Sequence, residues 1–135
     1  MRTTPPTTLI TETKMTTNNR PLTPYDVERR LIALSAKLEQ ATNHLIEMEE
    51  LYSAENSAYE LACARNRLAL AGGAEKLTVQ EKEARTLIEC EEERIRRDYA
   101  DAQLKAAKAV LKQIYTDIDV WRSVGSSVRA AVDIS

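Results

Sequence analysis

Residues 78–127 read TVQEKEARTLIECEEERIRRDYADAQLKAAKAVLKQIYTDIDVWRSVGSS, and this stretch decides the fold. It contains no proline, and no glycine before Gly125. Thr78 with Glu81 three residues on is a capping-box signature, in which hydroxyl and carboxylate satisfy the free donors of a helix start. The stretch predicts one long helix from Val79 to about Trp121. Its first half is charged; its second half is Ala-rich and apolar, with Ala102, Ala106, Ala107, Val110, Leu111, Ile114, Ile118, Trp121, Val124, Val128 and Val132 in a band wider than one partner helix covers.

Working back toward the N-terminus, Thr23-Pro24-Tyr25-Asp26 is a second helix start, with Thr as N-cap, Pro at the first helical position and an acid at the third. Apolar residues then recur at Val27, Leu31, Leu34, Leu38, Ala41, Leu45, Met48 and Tyr52, in steps that alternate four and three. That is a heptad seam. Glu55 falls on its next position, and the apolar residues are expected to shift to Ala54, Ala58, Tyr59, Leu61 and Ala62. Gly72-Gly73 is expected to close this helix through a left-handed residue. A connection of about six residues joins antiparallel neighbours. Folding the chain there sets opposite one another positions whose numbers sum to about 150, and brings Cys63 and Cys90 within a turn of each other, as two small buried thiols rather than a bridge.

The fold class is therefore all-α: a long antiparallel, coiled-coil-like helical hairpin with a short C-terminal helix and a disordered N-terminal tail. The domain reading is a leader over 1–22 and the hairpin with its C-terminal segment over 23–135. The leader is rich in threonine, a poor helix former, and holds Pro5, Pro6 and Pro21, with too little apolar content to repay ordering. Met15 offers a second reading frame start within it. At the other end Ser123, Gly125, Ser126 and Ser127 interrupt good helix formers. The long helix is expected to bend there, or to end and give way to a short amphipathic helix reaching Asp133.

Composition narrows the function classes. At 135 residues the chain holds one domain at most, and with 4% aromatic residues and no Phe it has little from which to build a thick core. Nineteen basic against 21 acidic residues leave a formal charge of −2, so polyanion binding needs a local basic face. Cys63, Cys90 and His44 have no zinc-ligand spacing, and Ala41 stands where a di-iron helix would carry Glu three residues before His44. Glu92–Arg96 and Glu93–Arg97 are spaced for ion pairs along a solvated helix face. No nucleophile–base pair, phosphate loop or cofactor motif is visible, so the reading is not an enzyme and carries no cofactor. Without an apolar run of membrane-spanning length or a signal peptide, a cytoplasmic setting is expected, that of the host cell if the chain is phage-encoded.

Two surfaces remain. Lys105, Lys108 and Lys112 share a helix face, with Arg122 and Arg129 beyond and Tyr115 and Trp121 nearby; this set suits a phosphate backbone with a ring for base stacking. The competing reading has Lys105 and Lys108 neutralising Glu47, Glu49 and Glu50 across the hairpin. Leu111, Ile114, Ile118, Trp121, Val124 and Val128 are the expected oligomer interface, since a two-helix hairpin buries too little to stand alone.

Thr78-Val79-Gln80-Glu81-Lys82-Glu83-Ala84, Ala106-Ala107-Lys108, Ile118-Asp119 and Arg122-Ser123-Val124-Gly125-Ser126-Ser127-Val128-Arg129 resemble short helical proteins of tailed bacteriophages, especially those of actinobacteria. More loosely, the layout of a long hairpin followed by Trp and an amphipathic end resembles the UvsY-type recombination mediators. That resemblance implies an oligomeric protein that binds single-stranded DNA and helps load a recombinase, or serves another replication protein. The alternative is a structural or adaptor coiled coil acting only through protein contacts.

Overall fold

The computed structural model describes residues 20–134. They form three helices, α1 (Pro24–Ala71), α2 (Val79–Glu89) and α3 (Glu91–Ile134), with no strand among them. The long helices α1 and α3 pack together as the two arms of a hairpin. By their contacts the described residues divide into two compact units, a hairpin unit over 34–118 and a terminal unit of 20–33 with 119–134.

In the hairpin unit the seam of α1 holds one heptad register throughout. Leu34 is buried; Leu38, Ala41, Leu45, Met48 and Tyr52 are half-buried; and the same alternation continues through half-buried Glu55, Tyr59, Ala62 and Asn66. The expected shift does not occur: Ala54, Ala58 and Leu61 face outward, Leu61 being half exposed. Backbone periodicity keeps the register, and polar residues are carried into the seam rather than the seam moving to follow the apolar ones. The second arm keeps the same rhythm, with Thr86, Cys90, Ala100, Leu104, Ala107, Ile114 and Ile118 buried and Glu93, Arg97 and Leu111 half-buried between them. The wide apolar band therefore divides into a narrow seam and an outer set, and Ala102, Ala106 and Val110 are exposed.

Cross-arm contacts fix the register near the turn. Arg67 donates two hydrogen bonds to Glu83, at 3.0 and 3.1 Å, and its guanidinium holds that carboxyl below the usual range. Thr86, fully buried, has its hydroxyl 2.8 Å from Asn66 Oδ1 and 2.9 Å from the Lys82 carbonyl. The Cys63 and Cys90 thiols, both buried and free, contact one another, and burial with that contact pushes the Cys90 thiol up to about 11. The pairing rule of about 150 becomes 150 at Arg67–Glu83, 152 at Asn66–Thr86 and 153 at the thiols.

Three local expectations are corrected. First, α1 does not end on a left-handed glycine, because no described glycine has a positive φ. The Gly72 amide still donates to the Leu68 carbonyl at 3.1 Å, and the Gly73 amide reaches back only three residues to Leu70 at 3.3 Å, so the helix closes by tightening. Second, the arm after Thr78 is two helices. Cys90, at φ −100° and ψ 18°, ends α2 with its amide donating to Thr86 and Ile88, and its carbonyl accepts from Arg94 to start α3. Neither glycine nor proline marks that break. Third, α3 runs unbroken through Gly125 to Ile134, and there is no separate C-terminal helix.

The terminal unit explains the third correction. A Cβ on Gly125 would lie 3.1 Å from Val27 Cγ1, tighter than ordinary packing. Gly125 is thus the gap into which buried Val27 fits, and it stays helical because its role is close approach, not chain reversal. Thr23 caps α1: the Asp26 amide donates to its hydroxyl at 3.2 Å, and the Thr23 amide donates to the Asp26 carboxylate at 3.0 Å. Arg20 adds two bonds of 2.8 Å to the same carboxylate and, with the Thr23 amide, holds it far below the usual range. The leader reading falls mostly on residues 1–19, outside those described; residues 20–22 belong to the terminal unit.

Candidate nucleic-acid interface

The five cations singled out from the sequence do not form one set. Lys105, Lys108 and Lys112 are exposed in the hairpin unit. Lys105 is engaged by Asp101, one turn earlier on α3, at 2.9 Å, and that carboxylate raises its pKa. Ion pairs from Lys105 or Lys108 to Glu47, Glu49 or Glu50 do not form among the described residues. Lys108 and Lys112 have no carboxylate within ion-pair distance among the described residues, and exposed Tyr115 stands one turn beyond Lys112. Arg122 and Arg129 belong to the terminal unit, Arg122 at 3.9 Å from Asp119 and Arg129 beside a cavity lined also by Pro24, Val27, Glu28, Leu31 and Gly125.

The expected oligomer interface divides in the same way. Ile114 and Ile118 are buried within the chain's own seam, and Leu111 is half-buried there. Half-buried Trp121, Val124 and Val128 stand in the terminal unit. Val124 and Val128, with Pro21, Leu22, Val120 and Val132, line an open apolar cavity of about 740 Å³.

The terminal unit also gathers a cluster that the sequence reading missed. Arg30 lies over the Trp121 ring, 5.6 Å from its centroid, and Arg29 lies over Tyr25 at 5.8 Å. Asp26, Arg29, Arg30, Ala33 and Trp121 line a depression of about 420 Å³. Its one carboxylate, Asp26, is occupied by Arg20 and the cap. Arg29 and Arg30 have no carboxylate within ion-pair distance among the described residues. The signal was available: the pairing rule sets Arg30 opposite residue 120, one from Trp121. Adjacent arginines on a helix read as solvated surface until that rule is applied to them.

Charge separates the two units. Over 20–33 and 119–134 the terminal unit holds five Lys and Arg against four Asp and Glu; the hairpin unit contains twelve against sixteen. In the hairpin unit the Glu92–Arg96 pair forms, but Glu93–Arg97 does not. Arg97 turns instead to Asp98 at 2.9 Å and stacks on Tyr59 at 4.3 Å. No group of three or more His, Cys, Asp or Glu side chains able to hold a metal occurs among the described residues, and no described helix is long and apolar enough to cross a membrane. Comparison of the chain with family models, curated proteins and solved structures returned no match.

Proposed function

We propose that this chain is a self-associating helical protein that binds single-stranded DNA as an accessory of recombination or replication. The observation that supports this most is the charge asymmetry: basic residues outnumber acidic ones only in the terminal unit, which also holds the chain's one tryptophan. A single strand is recognised by this combination, because phosphates are neutralised by cations while unpaired bases stack on a ring. Lys108 and Lys112 are exposed as well, but on a unit whose net charge is acidic, which makes them the weaker candidates. A recombinase or another replication protein as partner follows from the resemblance to UvsY-type mediators.

A second reading, an adaptor working only through protein contacts, is favoured by one feature, the open apolar cavity along Val120, Val124 and Val128. Solution mass measured with and without a fluorescently labelled oligothymidylate separates the two. The nucleic-acid reading expects a complex at low salt that dissociates steeply as salt rises. An assembly whose mass and label anisotropy ignore the oligonucleotide at low salt overturns that reading and leaves the adaptor.

A further inference from the structure

We infer that Arg29, Arg30 and Trp121 form the seat of a single strand, with Trp121 and the Arg30 guanidinium as stacking surfaces for a base and Arg29 and Arg30 as the phosphate contacts. This rests on the nucleic-acid reading above, and it moves the site from the lysines of α3 to the terminal unit.

Four observations carry it. The first is that the cations are available. The other arginines that touch acids or rings closely are committed: Arg20 to Asp26 at 2.8 Å, Arg67 to Glu83 at 3.0 Å, Arg85 to Glu75 at 3.0 Å, Arg96 to Glu92, and Arg97 to Asp98 at 2.9 Å with Tyr59 at 4.3 Å. Arg29 and Arg30 meet only rings, at 5.8 and 5.6 Å. Those separations lie near the outer limit of about 6 Å for a cation over a ring, so the guanidiniums give up little in turning to a phosphate.

The second observation is the cavity. It is open to solvent, and its lining beside the charged groups and the indole is the small side chain of Ala33. The third concerns the carboxylate at its edge. Asp26 would repel a phosphate if it were free, but the paired Arg20 guanidinium offsets its charge. The fourth is the contrast with the lysine face, where Lys105 is already paired with Asp101 and the surrounding unit is net acidic.

Trp121 is the chain's one tryptophan, so emission excited beyond the tyrosine absorption band comes from the indole of this seat alone. Intrinsic fluorescence and the anisotropy of a labelled oligothymidylate would be followed in one titration of the full chain at low salt. The expected result is quenching of Trp121 with the same midpoint as the anisotropy rise. Replacing both Arg29→Ala and Arg30→Ala should weaken binding about tenfold or more and lower the salt slope by about 1.4, the share of two single-strand phosphates. Lys108→Ala with Lys112→Ala should change affinity less than threefold.

An anisotropy rise without change in Trp121 emission, abolished by the lysine substitutions, overturns this seat while leaving the nucleic-acid reading in place. No anisotropy rise at low salt overturns both. Both arginines are exposed, and the quenching measurement on the unsubstituted chain decides the matter even where a variant is unstable.

Discussion

At the scale of single residues, Cys90 shows how burial sets chemistry. Taking the thiol out of water disfavours its thiolate, and the neighbouring Cys63 adds to this, so its pKa rises to about 11 from an ordinary value of about 8.5. The fold therefore favours the protonated form. Its contribution to stability is fully present below about pH 8.5 and is lost as pH climbs through 11. Chemical denaturation at a series of alkaline pH values should show this loss, and Cys90→Ala should flatten it. Below pH 9 the folded protein should resist iodoacetamide at Cys90, and addition of urea should release the reaction. Rapid alkylation of the native protein at pH 8 would contradict the burial.

At the scale of elements, Gly125 and Val27 are coupled. Alanine is better than glycine inside a helix by about 1 kcal/mol. At 125 that gain meets the Val27 methyl at 3.1 Å, so Gly125→Ala alone should be close to neutral or destabilising. In a Val27→Ala background the obstruction is gone, and the same substitution should stabilise by about 1 kcal/mol. A double-mutant cycle from thermal or urea melts measures this coupling; strict additivity would mean that the close approach carries no energy. The same pair marks where sequence reasoning stopped. Helix starts at Thr23 and Thr78 were legible because capping is local, a hydroxyl and a carboxylate three residues apart. A glycine, by contrast, reads as an interruption until the residue it accommodates is known, and that residue lies almost a hundred positions away. The break at Cys90 had no local sign, and Arg30 beside Trp121 emerged only once the two arms were aligned.

At the scale of the whole molecule, apolar surface outside the seam is what the proposed self-association would cover. Exposed large residues such as Ile32, Leu68 and Ile88 exist beside a seam that carries Glu55, Asn66 and Thr86 in its interior. Polar groups in a seam lower stability and fix register, as buried polar positions do in coiled coils. We expect the mass in solution, by analytical ultracentrifugation, to exceed 15.2 kDa. Val124→Glu with Val128→Glu should shift it toward that value, because each carboxylate would need desolvating on the apolar cavity. A monomer in the unsubstituted protein at tens of micromolar would argue against self-association. How much of the molecule could be foreseen follows the range of the forces involved. Periodicity and capping repeat along the chain and were readable. The partition of charge between two units depends on which distant residues cluster, and became visible only in the folded chain.

The turn over 72–78 has a consequence of a different kind. Neither glycine there needs a backbone conformation denied to other residues, and a Cβ added to either meets only carbonyl oxygens at 3.5–3.6 Å, ordinary contact. The register of the arms is held by Arg67, Asn66 and their partners, outside the turn. From the connection itself Glu75 reaches Arg85 at 3.0 Å, but both side chains are exposed and such a pair adds little, so the connection is not the template for the hairpin. It behaves as a tether, and its length is open to change at an entropic cost that grows only with the logarithm of the residues added. That makes it the natural point at which to splice in a reporter domain or reopen the chain as a circular permutant, leaving the proposed strand seat untouched.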